Sequence, residues 1–151
     1  MKRTWASTLP KDDSCRLSMG EPGGDEVSRI LALRVIAVVG LSPKPDRPSH
    51  YVSEYLQQRG YKIVPVNPGH AEILGEKCWP SAADIPFPVD VVCVFRRPEE
   101  ALAPILEAIA IKAKALWLQD GVYHDEGERM AREAGLLVVS NDCMMRRLAR
   151  R

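Results

Sequence analysis

The residues of this chain best suited to chemistry lie in four short stretches, each directly after an apolar run. The first is Gly40-Leu41-Ser42-Pro43-Lys44-Pro45-Asp46-Arg47-Pro48-Ser49. Gly40 lets a ligand approach the backbone closely, Ser42 and Ser49 bring hydroxyls, and Lys44 and Arg47 bring positive charge. That mixture, ahead of a helix N-terminus, suits an anion, and phosphate best. It is neither GxGxxG nor GxxxxGK[ST], which disfavours ordinary NAD binding and ATP hydrolysis. The second is Val66-Asn67-Pro68. A dinucleotide enzyme carries an acid at this position for the ribose hydroxyls. Asn67 instead fixes a turn or hydrogen-bonds a base edge. The third is Phe95-Arg96-Arg97-Pro98, whose guanidiniums can fork onto phosphate oxygens. With Glu99 and Glu100 next in the chain, one arginine can be paired internally, and at least one is expected on a ligand phosphate. The fourth is Gln119-Asp120-Gly121. Gln119 and Gly121 stand where the linker of an extended ligand would run, although Asp-Gly is also a common turn pair.

Other chemistry is poorly provided for. His50, His70 and His124 are scattered and form no metal spacing beyond the adjacent His124-Asp125. No GxSxG elbow or pair of acids stands out. Cys93 lies inside an apolar run and reads as a small core residue. Cys143 is the more exposed candidate, but no histidine lies near it in sequence to activate it.

The elements that must position these residues follow from periodicity. Asp25 is placed to cap a short helix carrying Val27, Ile30 and Leu31. Five strands are predicted: Val35 to Val39, Lys62 to Val66, Val89 to Phe95, Ala115 to Leu118 and Leu136 to Val139. The first is an unbroken β-branched run, as in a strand buried on both faces of a parallel sheet. Between them lie helices at about Ser49 to Arg59, around Leu102 to Ile109 with Pro104 in the first turn, and at Asp125 to Ala134. The loop from Gly69 to Pro88 admits a short helix near Ser81 to Asp84. The alternation predicts an α/β fold: a doubly wound, mostly parallel five-stranded Rossmann-like sheet with helices on both faces. The expected strand order is 3-2-1-4-5, which places a ligand at the carboxyl ends of the first two strands. Residues 1–24, rich in Gly, Pro and polar side chains, read as a disordered tail, and residues 25–151 as one domain.

Composition narrows the classes. The chain has 151 residues, 46% of them hydrophobic, enough for one core. Its 21 basic and 20 acidic side chains leave a net charge of +1, no footprint for nucleic acid or a membrane surface. No apolar run approaches a membrane span, and the start lacks the apolar core of a secretion signal. The four cysteines, Cys15, Cys78, Cys93 and Cys143, form no CxxC pair, so reduced thiols in the cytoplasm are expected. A protein partner or homodimer finds no support in the sequence.

At these motifs the chain resembles the CoA-binding protein family. Its members are small single-domain Rossmann-like proteins, similar to the N-terminal CoA-binding domain of the succinyl-CoA synthetase alpha subunit. The resemblance runs from about Asp25 to Arg147. It is carried by Ile36 to Gly40 with Ser42 to Ser49, Gly60-Tyr61, Pro65 to Pro68, Val94 to Pro98, Trp117 to Gln119 and Ala134 to Leu136. It implies that coenzyme A or an acyl-CoA binds at the carboxyl edge of the sheet. Gly40, Leu41 and Ser42 would hold the pyrophosphate, and Lys44 and Arg47 would neutralise its charge. Val66, Asn67 and Pro68 would border the nucleotide, and Phe95 and Arg96 the chain beyond it. The phosphorylated histidine of the synthetase belongs to its second domain and has no counterpart here, so the resemblance implies binding without catalysis. The chain departs from the family pattern after the last strand. The usual Asp-Arg-Cys, two apolar residues and a Glu-His-like pair are here Asn141-Asp142-Cys143-Met144-Met145-Arg146-Arg147. Two other readings stay open: an enzyme acting on a nucleotide or acyl thioester through Cys143 or His50, and an interaction protein that has lost its ligand.

Overall fold

The computed structural model describes residues 24–150. The predicted tail therefore lies outside the described residues, except for Gly24, where helix α1 (Gly24–Leu31) begins. Asp25 thus falls inside the first turn of α1 rather than at its cap. Strand β1 (Val35–Val39) leads to α2 (Pro48–Gln58) and β2 (Lys62–Val66). A small antiparallel hairpin, β3 (Glu72–Ile73) and β4 (Glu76–Lys77), and a 3-10 turn at Ala82–Asp84 fill the loop before β5 (Val91–Val94). After them come α3 (Leu102–Ala110), β6 (Ala115–Leu118), α4 (Asp125–Glu133), β7 (Leu137–Val139) and α5 (Met144–Ala149). Pro104 occupies the first turn of α3, where a missing N–H costs no helical bond.

The five main strands form one parallel sheet in the order β2-β1-β5-β6-β7. The α/β class is as expected, but the strand order is not. In chain order of the main strands it is 2-1-3-4-5, so the third strand pairs with the first instead of standing outside the second. Pro65 gives the physical reason. Its carbonyl accepts from the Trp79 N–H at 3.0 Å on the outer flank of β2, so its imide nitrogen also faces that flank and offers no donor. A full strand there would lack a ladder bond, and proline is confined to sheet edges for this reason. The flank is closed instead by a single bridge between Val66 and Trp79.

Alternation along the central strands divides the core. Ile36 and Val38 face the side covered by α1, α2 and α5, with Val52, Leu56 and Met144. Ala37 and Val39 face the side covered by α3 and α4, with Ile105, Ala108 and Ala131. Trp117 is wholly buried, and its Nε1 donates to the Asp142 carbonyl at 2.8 Å. The amino ends of β1 and β5 are joined by Asp90, whose carboxylate accepts from the Arg34 and Val35 N–H groups at 3.2 and 3.0 Å.

Candidate functional site

The order 2-1-3 puts the topological switch point between β1 and β5, where ligands bind in open α/β sheets. A cleft of about 890 Å³ opens there, beyond the carboxyl ends of β1, β5 and β6, between α2 and α5. It lies one strand over from the expected place between β1 and β2.

Its floor is the turn after β1. Gly40 has φ +87° and donates to the Val66 carbonyl at 3.1 Å. Its bare Cα lies under the Phe95 carbonyl and close to the Arg96 guanidinium. The serine hydroxyls hold the loop in shape: Ser49 Oγ accepts from the Ser42 N–H at 2.9 Å and Ser42 Oγ from the Lys44 N–H at 3.1 Å. Each hydroxyl still has a hydrogen to donate. Arg47 is the N-cap residue of α2, followed by Pro48. The positive end of the helix dipole therefore points at the same place.

Eight of the thirteen expected residues line this cleft: Gly40, Ser42, Arg47, Phe95, Arg96, Arg97, Gln119 and Gly121. Five do not. Leu41 and Val66 are buried in the core, and Lys44 and Pro68 are exposed away from the cleft. Asn67 is a brace. Its Nδ2 donates to the Leu41 carbonyl at 2.9 Å and its Oδ1 accepts from the Gly69 N–H at 2.8 Å. The turn-fixing alternative for Asn67 is thus the one the structure shows.

The two adjacent arginines divide. Arg97 is exposed and pairs with Glu100 at 3.0 Å and more loosely with Glu99 at 3.9 Å, and these contacts raise its pKa. Arg96 is half-buried and, like Arg47, makes no ion pair among the described residues. Gln119 is buried and donates through Nε2 to the Cys93 sulfur at 2.9 Å. Burial pushes the Cys93 thiol up to about 12.

The far wall comes from the segment that departs from the family pattern. Cys143, Met145, Arg146 and Ala149 line the cleft, as do Tyr51, Val52 and Tyr55 of α2. Arg146 bonds both oxygens of Asp120, at 3.0 and 2.9 Å, and also Asp142 at 3.0 Å. That hydrogen bonding holds the Asp120 carboxyl below its ordinary value. Asp142 also accepts from Arg147 at 2.7 Å, and Asn141 Oδ1 from the Gly121 N–H at 2.7 Å. Of this wall the sequence singles out Cys143 alone, although the rule that strand carboxyl ends line the crevice applies equally to the other residues after β7. Val52 also belongs to the core, and Tyr55 packs against it.

The histidines have other tasks. His50 is buried outside the cleft and donates from Nδ1 to the Ser42 carbonyl at 2.8 Å. His124 caps α4 by accepting the Gly127 N–H at 2.9 Å. Among the described residues no cluster of three or more His, Cys, Asp or Glu side chains could hold a metal ion, and no helix is long and apolar enough to cross a membrane.

A parallel α/β sheet with an arginine-bearing cleft at its switch point defines a Rossmann-like domain. The chain belongs to the CoA binding domain family, which it matches over residues 34–149. It is 41% identical over 127 residues to the uncharacterized protein YneT of Bacillus subtilis strain 168, a match covering 83% of this chain and 94% of YneT. The solved structure of a hypothetical protein from Pyrococcus horikoshii OT3 is 41% identical with a TM-score of 0.82, covering 91% of this chain and 97% of that one. Acetate–CoA ligase (ADP-forming) II of Archaeoglobus fulgidus is 33% identical over 99 residues, 64% of this chain but 15% of the ligase.

Proposed function

We propose that this protein binds coenzyme A or an acyl-CoA in the β1/β5 cleft and performs no chemistry on it. One observation carries the reading. Arg47 and Arg96, unpaired among the described residues, line the same cleft as the Gly40 turn and the start of α2. Guanidiniums held in no salt bridge beside a helix N-terminus suit a diphosphate. The family and the ligase relative supply the class of ligand. The buried free thiols of Cys78, Cys93 and Cys143 accord with a reducing, cytoplasmic setting.

Calorimetric titration with CoA, acetyl-CoA, NAD and ATP tests the reading. Saturable binding of CoA and acetyl-CoA, absent for NAD and weakened at least about tenfold by Arg96→Ala, is expected. No binding of either CoA species overturns it and favours an interaction protein on an inherited fold. One feature supports a second reading: Cys143 lines the cleft. Thioester hydrolysis by the wild type that Cys143→Ala abolishes would establish an enzyme instead.

A further inference from the structure

The cleft changes character along its length. Its β1 end carries the Gly40 turn, Arg47 and Arg96, and its other end is walled by α2 and α5. Tyr55 lies eight residues beyond the Arg47 cap, about 12 Å further along the α2 axis at 1.5 Å per residue. Tyr51, one turn beyond Arg47, lines the same cleft with Val52, Met145 and Ala149. Tyr51 is 43% exposed, a large ring without a full packing partner in the fold. Tyr55 is held from behind by the Arg59 guanidinium, 3.6 Å from its ring centre. Met145 and Ala149 are four residues apart and so share one face of α5. The charge at this end is internally balanced, because Arg146 and Arg147 together engage Asp120 and Asp142.

Two parts of a CoA-type ligand could in principle lie here. The adenine and 3′-phosphate end is disfavoured, since it would bring polar edges and charge to an apolar wall beside Asp120. The uncharged arm and whatever its sulfur carries fit the wall. We infer that the α2/α5 end of the cleft is an acyl pocket selecting apolar, uncharged acyl groups over free CoA and over dicarboxylic acyl groups. This rests on the CoA reading above and names the substrate class of the same site.

Titration with CoA, acetyl-CoA, butyryl-CoA and succinyl-CoA tests it. On the order of fourfold in affinity is expected per methylene buried, hence about tenfold or more from acetyl to butyryl. Succinyl-CoA should bind no more tightly than acetyl-CoA. Two variants of exposed residues, Tyr51→Ala and Ala149→Glu, should each reduce the butyryl-to-CoA affinity ratio at least threefold. Equal affinity for CoA and butyryl-CoA, or succinyl-CoA binding as tightly as butyryl-CoA, overturns the acyl pocket and leaves the CoA reading standing. An undiminished ratio in both variants places the pocket elsewhere and also overturns the inference. If none of the four binds, the CoA reading itself fails.

Discussion

A Cβ built on Gly40 would stand 2.5 Å from the carbonyl oxygen of Phe95, closer than any real contact. The two residues directly follow adjacent strands, and the Phe95 N–H already donates to the Val39 carbonyl at 2.9 Å. The ladder between β1 and β5 therefore continues into the cleft floor, and it closes only over a residue without a side chain. Gly40→Ala adds this clash to a φ of +87°. The expected loss is about 2–3 kcal/mol in chemical denaturation, with CoA binding weakened in the folded fraction. Stability unchanged within error would mean that β5 can shift to make room.

The neighbouring arginines should separate in binding. Arg96→Ala is expected to weaken CoA at least about tenfold, and Arg97→Ala no more than about threefold, because Glu99 and Glu100 already engage Arg97. Arg47→Ala should follow Arg96→Ala, and Lys44→Ala should follow Arg97→Ala. Titration of the four variants at one salt concentration decides. An equal loss from Arg96→Ala and Arg97→Ala would show that ligand pulls Arg97 from its carboxylates.

Asn67 links the loop after β2 to the loop after β1 by bonding to both Leu41 and Gly69. Removing it as Asn67→Ala should cost about 1–2 kcal/mol. Asn67→Asp should cost more, since a carboxylate oxygen would then face the Leu41 carbonyl with no hydrogen between them. Thermal denaturation of the pair reads the order, and the reverse order would dismiss the brace.

Asp90 sets an acid limit to stability. Burial disfavours its charge, but the Val35 and Arg34 N–H groups, with Lys114, outweigh that and hold the carboxyl below its ordinary value of 3.8. A carboxyl lowered by folding adds stability above its unfolded value and loses it as the pH falls through the folded one. Asp90→Asn should therefore be destabilised near neutral pH by about 1–2 kcal/mol, with the gap to wild type narrowing below about pH 4. Denaturation midpoints at pH 7 and pH 3 test this, and a constant gap would remove Asp90 ionisation from the account.

Chain-local signals determined much of this protein. The unbroken Val35 to Val39 run, the later apolar runs and the intervening helical periods gave five strands, their helices and the α/β class, because period and β-branching are written residue by residue. The Gly40 turn and Arg96 were legible for the same reason: ligands in this fold meet the carboxyl ends of strands, and those ends can be read. Strand order was not legible from local pattern, although Pro65 carried the clue, because which edge a strand occupies depends on donors facing a neighbour distant in sequence. The fate of each polar side chain was likewise tertiary. The sequence allowed either Arg96 or Arg97 to pair with the following glutamates, and the fold sets Arg97 against Glu100 and leaves Arg96 over Gly40. The far wall required the pairing of Asp120 with Arg146, 26 residues apart. No local pattern encodes such a contact, because it depends on the pairing of β6 with β7 that sets α5 against α2.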